Sequence, residues 1–289
     1  MWTISHFTRR IISMYSKFFP VILLFGSAQI GAQQHASIAP TAQQSGASAV
    51  ALPRDPTKLA EMIRGSYYHP DDLSSIDCGV SIDWASFFGA LKVDLPEDRA
   101  KVLQGLKIHS HAARGKGTEL TFNWSAGELT TKDTMEGGLK QIVHGFYQMY
   151  WPMLATKLIA SGDEIKKVEA LPDGSANIDV SSQNTNLVMT VDKSGSPTRW
   201  ALDSPAMKAT IDPRYVTSPK PTPGDLQRIS SVKVAERIGE SSMNVQVDLD
   251  YQEADGFFVP KSVSFDILGA YSVTMEFLGC STTKRISGN

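Results

Sequence analysis

The sequence TMEGGLKQIVHGFYQMYWPMLATKLIAS, which covers Thr134 to Ser161, decides the fold of this chain. Its apolar residues recur at steps of three and four, which is the spacing of one face of a helix. The segments around it are short and alternate between apolar and polar residues, as strands do. We therefore predict a helix that fills or covers a curved sheet. Its apolar positions are Leu139, Ile142, Val143, Phe146, Met149, Tyr150, Met153, Leu154 and Leu158, widened by Tyr147 and Trp151.

Two features of this segment predict a helix that bends. Pro152 removes one backbone hydrogen bond and kinks a helix when it lies in the interior. Gly137-Gly138 loosens the start of the helix, because glycine is a poor helix former. A bend would let the helix follow a curved sheet, or let one half of it move as a lid.

The composition is that of a soluble globular protein and excludes general nucleic-acid binding. Of the 289 residues, 42% are hydrophobic and 20% are charged, so a sizeable core can form. The formal net charge is -2, and removal of the three cationic residues before residue 32 leaves 25 Lys+Arg against 30 Asp+Glu. A nucleic-acid-binding domain would instead show an excess of basic residues.

Residues 1–32 have the pattern of a secretory signal peptide. Arg9, Arg10 and Lys17 form a positive region, Phe18 to Phe25 forms a short apolar core, and small residues follow up to Ala32. The apolar core is far shorter than the roughly 20 residues that span a bilayer. We therefore predict an exported protein, periplasmic or secreted, with no stable membrane span after cleavage.

The rest of the chain is predicted to form one β-rich domain. Residues 33–55 are rich in Ala, Gln and Ser and are predicted to be a disordered linker. Strand patterns at regular spacing fill residues 56–281 and favour an antiparallel meander, and residues 282–289 form a polar tail. The predicted fold class is α+β: a curved, unclosed half-barrel of about a dozen strands, with a long kinked helix and one or two short helices over its concave face.

Cys78 and Cys280 are the only cysteines of the chain. In an oxidising compartment such a pair is a candidate disulfide. Because it would close a very long loop, it would stabilise the fold by on the order of 4–5 kcal/mol. The alternative is a pair of buried free thiols.

No motif in the chain indicates catalysis or a cofactor. His109 and His111 share one face of a strand and, with His144, would make a three-nitrogen metal site. The alternative, two solvated strand residues, is favoured because Lys107 and Ala113 do not mark that face as buried. Nucleophile and metalloprotease motifs are missing, so we predict no enzyme activity, no metal and no cofactor.

Two hairpin segments resemble those of an exported protein superfamily. The first runs from Leu187 to Arg199 and contains an Asp-Lys-x-Gly-x-Pro turn; the second runs from Val247 to Val263 around an Asp-Gly turn. Both are similar to hairpins of the LolA-like half-barrels, which include periplasmic lipoprotein carriers, lipoprotein-sorting proteins and stress sensors. The resemblance implies an unclosed barrel with helices over its open side and an apolar cavity for acyl chains.

Two functions follow from this resemblance and from the apolar helix. The first is a non-catalytic binding protein that holds a lipid or lipoprotein acyl chain between the sheet and the helix, where methionines adapt to a flexible ligand. The second is an envelope sensor or protein-interaction domain with a filled core, an envelope protein partner and no ligand. The residues predicted to line the cavity are Leu120, Phe122, Trp124, Phe146, Met149, Tyr150, Met153 and Leu154.

Overall fold

The computed structural model describes residues 52–90, 97–125, 132–155, 159, 164–182, 185–204, 207–217, 226–238, 241–267 and 271–285. The predicted signal peptide and most of the predicted linker lie outside these ranges. The helices found within the ranges are α1 (Pro56–Gly65), α2 (Trp84–Ala90), α3 (Glu97–Gln104) and α4 (Lys132–Met153). The strands are β1 (Leu73–Ile82), β2 (Lys107–Ala113), β3 (Gly117–Asn123), β4 (Glu164–Ala170), β5 (Ala176–Ser182), β6 (Thr185–Val191), β7 (Pro197–Ser204), β8 (Met207–Thr217), β9 (Gln227–Ile238), β10 (Ser241–Ala254), β11 (Phe257–Ile267) and β12 (Tyr271–Lys284).

All these strands form one antiparallel sheet of 12 strands. The order across the sheet is β3-β2-β1-β12-β11-β10-β9-β8-β7-β6-β5-β4, so β3 and β4 are its two edges and the sheet is not closed. This confirms the predicted unclosed antiparallel sheet of about a dozen strands with few helices. The last strand continues to Lys284, into the segment predicted as a polar tail.

The strand register places apolar side chains on one face of the sheet, from one edge to the other. Side chains alternate between the two faces of a strand, and residues paired across strands share a face. Full burial of one such side chain stabilises the fold by about 1.5–3 kcal/mol. We call this the inner face. In sheet order it is marked by Phe122, Ile108, Val80, Met275, Val263, Val247, Val234, Ile211, Trp200, Met189, Ile178 and Val168.

Helix α4 corresponds to the predicted central helix but is shorter at its C-terminal end. It ends at Met153, and the backbone N–H groups of Leu154 and Ala155 both donate to the carbonyl of Tyr150, at 2.8 and 3.0 Å. Pro152 therefore lies in the last turn, one residue before the helix ends. The structure does not show the kink that was predicted inside a longer helix.

Helix α1 closes one end of the inner face. The side chain of Asp55 caps the helix by accepting a hydrogen bond from the Lys58 N–H at 2.9 Å. Leu59 and Ile63 are fully buried, and the Ser66 hydroxyl donates to the carbonyl of Gly195 in the turn between β6 and β7, at 3.1 Å. The start of the folded domain is thus attached to the β6–β7 turn, toward the β4 edge of the sheet.

A disulfide bond joins Cys78 of β1 to Cys280 of β12. The two strands are neighbours, and the Cα atoms of the two cysteines are 4.3 Å apart. The predicted disulfide is confirmed, and the alternative of two free thiols is wrong.

Candidate functional site

The side chains of the middle of α4 pack into the inner face of the sheet. The ring of Phe146 lies 5.3 Å from that of Phe277 and 6.2 Å from that of Phe265, measured between centroids. Phe146, Met149, Tyr150 and Leu154 are all buried, so protein side chains fill this part of the predicted cavity. The side chain of Met153 lies outside the described residues.

Two tyrosines of α4 belong to this packed cluster and stay protonated. Burial raises the pKa of Tyr147 and of Tyr150 above the ordinary tyrosine value, because the phenolate would lose its hydration. The Tyr147 hydroxyl lies 3.4 Å from the Ser110 hydroxyl on β2. This cluster is therefore neutral and supplies packing and not acid–base chemistry.

A groove of about 320 Å³ lies between α4 and the edge strand β3. Of the residues predicted to line a cavity, Leu120 is the one found here, since β3 directs it toward the helix. The groove is otherwise more polar than predicted. Its lining residues are Thr118, Leu120, Lys140, Gln141, His144, Gly145 and Gln148.

The groove contains hydrogen-bond acceptors that are not satisfied. The Gln148 amide nitrogen lies 2.5 Å from Nε2 of His144. The side-chain oxygens of Gln141 and Gln148 are buried and have no hydrogen-bond partner within the described ranges. A buried acceptor without a partner costs about 1–3 kcal/mol, so these two oxygens are available to a hydrogen-bond donor.

Phe122 and Trp124 do not line the groove but attach α4 to the edge strand. The Lys140 ammonium lies 5.4 Å from the ring centroid of Phe122. The indole N–H of Trp124 donates to a carboxylate oxygen of Glu136 at 2.7 Å. Both rings are half-buried, so they hold the helix by cation–π and hydrogen-bond contacts at its side.

The structure separates the three histidines that were considered as an alternative metal site. His109 and His111 lie on the outer face of β2, where Oδ1 of Asp77 is 2.8 Å from Nδ1 of His111, whereas His144 lies in the groove on the other side of the sheet. No group of three His, Cys, Asp or Glu side chains in the part of the chain that is described could hold a metal ion. The three-nitrogen site is therefore wrong. The two strand histidines are solvated, with side chains 56% and 42% exposed.

Sequence reasoning missed most of the groove. Lys140, His144 and Gln148 follow one another at steps of four, which places them in one line along α4. That line runs beside the apolar stripe and reaches the surface at β3. The signal in the sequence is a polar strip on an otherwise apolar helix.

Among the described residues, no helix has both the length and the apolar content needed to cross a bilayer. A comparison of the chain with protein-family models, curated proteins and solved structures found no match. The relation to the LolA-like superfamily therefore stays a prediction.

Proposed function

We propose that this chain is an exported, non-catalytic binding protein that holds the acyl chain of a lipid or lipoprotein on the inner face of its sheet. The observation that carries the proposal is the extent of that face. It crosses 12 strands, or about 55 Å at a strand spacing of about 4.8 Å. Helix α4 has 22 residues, so it is about 33 Å long and about 10 Å wide.

The contacts of α4 lie toward one side of this face. Its side chains meet Phe122 on β3, Ser110 on β2, Phe277 on β12 and Phe265 on β11. The inner face continues from β10 to β4 with the same apolar character. Strands twist, and a wide twisted sheet curves around its apolar side. In this proposal the acyl chain lies against this part of the inner face, beside the helix.

In this proposal α4 acts as a cover that opens at its N-terminal end when the hydrogen bond from the Trp124 indole to Glu136 breaks. A Cβ atom added at Gly137 or Gly138 would meet no atom within 4 Å, so no neighbour packs tightly against that turn. The other end is attached, because the Arg114 guanidinium donates hydrogen bonds to the carbonyls of Pro70, at 2.9 Å, and of Ala155. Opening would enlarge the groove beside β3, where Leu120 and the free amide oxygens lie.

Export is part of the proposal. The disulfide between β1 and β12 favours an oxidising compartment, since such bonds rarely persist in a reducing cytosol. The predicted signal peptide agrees with that compartment. Periplasm and extracellular space both satisfy this chemistry.

A second function is favoured by a different observation. Phe146, Tyr147 and Tyr150 pack directly against the sheet, as they would in a domain whose core is permanently filled. Such a domain would be an envelope sensor or protein-interaction module without a ligand. The two functions differ in whether α4 moves.

Lipid extraction and titration distinguish the two functions. We expect oxidised, purified protein to release lipid on organic extraction, as detected by mass spectrometry, or to take up a fluorescent fatty acid with a dissociation constant in the micromolar range, about 1 μM. Protein that is empty and does not take up the probe would support the filled-core domain instead.

A pair of substitutions adds a structural control. Ile178→Phe enlarges a side chain of the inner face, and Val188→Phe does the same on the outer face of the neighbouring strand. If the inner face borders a ligand space, Ile178→Phe weakens probe binding with little loss of stability. In a filled core it would destabilise the protein by about 1–3 kcal/mol through overpacking.

A further inference from the structure

Glu236 is a carboxylic acid on the apolar inner face of the sheet. It lies on β9 in the same phase as Val232 and Val234, and its register partner on β8 is the buried Ala209. Only 5% of Glu236 is exposed. An acidic side chain is rarely buried to this extent unless it is paired.

Neither carboxyl oxygen of Glu236 has a hydrogen-bond partner among the residues that the structure describes. The inner-face positions around it, Val234, Leu202 and Val245, are apolar. The charged neighbours Lys208 and Asp203 lie on the outer face, where they pair with each other at 2.9 Å. Burial alone raises the pKa of Glu236 to about 7.

A second polar atom on the same face is also unsatisfied. The indole N–H of Trp200 is buried and has no acceptor within the described ranges. Trp200 pairs with Ile211, which pairs with Val234, two residues before Glu236. Strand spacing and rise then place the Cα atoms of Trp200 and Glu236 about 12 Å apart. The acceptor of Glu236 and the donor of Trp200 are thus separated by apolar surface.

Packing alone does not account for this arrangement. A buried carboxyl group without a partner lowers the stability of the fold, and an apolar side chain of similar size would remove that loss. Unsatisfied buried groups that persist at a cost are typical of ligand sites. A hydrogen-bond donor that reaches the inner face would supply the missing partner of Glu236.

We infer that Glu236 anchors the donor-bearing head group of an amphiphile, a primary amine or a hydroxyl, whose chain lies along the inner face toward Trp200. This inference rests on the proposed function, because the anchor requires a ligand on that face. The Trp200 N–H would bind an acceptor on the same molecule. An ammonium head would bind the ionised carboxylate, and the proton released from Glu236 would pass to the solvent.

The experiment compares three probes that share one chain: dodecylamine, dodecanol and dodecanoate. Calorimetric titration uses the full oxidised protein, its isosteric Glu236→Gln variant and, as matched control, Asp248→Asn on the exposed outer face of β10. We expect the unsubstituted protein to prefer dodecylamine or dodecanol over dodecanoate by about tenfold or more, since a charge-assisted hydrogen bond is gained. Glu236→Gln should remove this preference, and Asp248→Asn should retain it.

Each outcome decides the inference. If Glu236→Gln loses only the preference for dodecylamine over dodecanoate, the head group is an amine. If it loses only the preference for dodecanol over dodecanoate, the head group is a hydroxyl. Equal binding of all three probes by the unsubstituted protein overturns the anchor but leaves the acyl-binding function standing, whereas binding of none overturns both. If Glu236→Gln does not fold, proton release can be measured on the unsubstituted protein. Dodecylamine binding near pH 7 should release about half a proton per site, and no release would overturn an ammonium–carboxylate contact.

Discussion

The guanidinium of Arg114 lies 5.5 Å from the ring centroid of Trp151, in the last turn of α4. The same group donates to the carbonyls of Pro70 and Asp71, at 2.9 and 3.1 Å, and to that of Ala155. One side chain thus joins the β2–β3 turn, the start of β1 and the end of the helix. Because carbonyl groups at a helix end have no partner in the helix, this cation satisfies groups that would otherwise be left unpaired.

We expect Arg114→Met to lower the free energy of unfolding by about 2–3 kcal/mol, since several hydrogen bonds to a charged donor are lost. Urea denaturation followed by tryptophan fluorescence measures the change. Lys116→Met, in the same turn but exposed, is the matched control. Equal stability of the two variants would contradict the role of Arg114 as an attachment point.

The glycine pair near the start of α4 gives a kinetic prediction. Gly137→Ala with Gly138→Ala should raise the free energy of unfolding by about 0.5–1 kcal/mol per site, because alanine is the better helix former and the space at both positions is open. The stiffer helix should also slow uptake of a fluorescent fatty acid in a stopped-flow experiment. Gly65→Ala at the end of α1, where the space is also open, is the control. It should raise the free energy of unfolding in the same way but leave the uptake rate unchanged, because it does not lie in α4. Unchanged uptake rates would argue against opening at this turn.

The disulfide gives a prediction about redox conditions. Reduction should lower the free energy of unfolding by on the order of 4–5 kcal/mol, because the bond closes a loop with a sequence separation of 202 residues. Guanidinium denaturation with and without reductant tests this. The Cys78→Ser, Cys280→Ser double variant should have the stability of the reduced protein and no response to reductant.

Glu236 predicts a pH dependence of stability. Its pKa is about 7 in the folded protein and 4.5 when the group is solvated as in an unfolded chain. Between pH 4.5 and pH 7 the folded protein binds more protons than the unfolded chain does. The stability that the neutral Glu236 provides is therefore fully present below pH 4.5 and is lost as the pH rises through 7. We expect a loss on the order of 3 kcal/mol across this window.

The same denaturation series on Glu236→Gln isolates the effect. The difference in free energy of unfolding between the two proteins should change between pH 4.5 and pH 7 and be constant above pH 7. The other titrating groups contribute equally to both proteins and cancel from this difference. Parallel pH profiles would mean that Glu236 is ionised or solvated in the folded state, contrary to its burial.

The sheet could be predicted from the sequence because each strand carries its own alternation. The ends of the helices and strands were harder to predict, because apolar periodicity indicates which residues are buried and does not show where a helix ends. Leu154 continued the apolar spacing and is indeed buried, although α4 has already ended. In the sequence Trp84 continues the alternating pattern of β1, yet it begins α2, where the Asp83 carboxylate accepts from the Ser86 N–H at 3.0 Å as a helix cap does.

The candidate site was less predictable than the fold, because it depends on contacts between distant segments. Nothing in the sequence near Leu120 shows that α4 will place Gln141 and Gln148 beside it. Glu236 did have a local signal: it occupies the phase of Val232 and Val234 in an alternating strand. Its lack of a partner could be seen only once the surrounding strands were in register.

The position of β12 between β1 and β11 has a consequence for how the protein is made. The β1–β2–β3 unit is translated well before the strand beside which it lies, Tyr271–Lys284. Until then the backbone of β1 has an unpaired edge and Cys78 lacks its partner. Such distant pairing folds slowly, and an exposed strand edge invites aggregation. Pairing of this edge of β1 and formation of the disulfide therefore both wait until β12 has been synthesised.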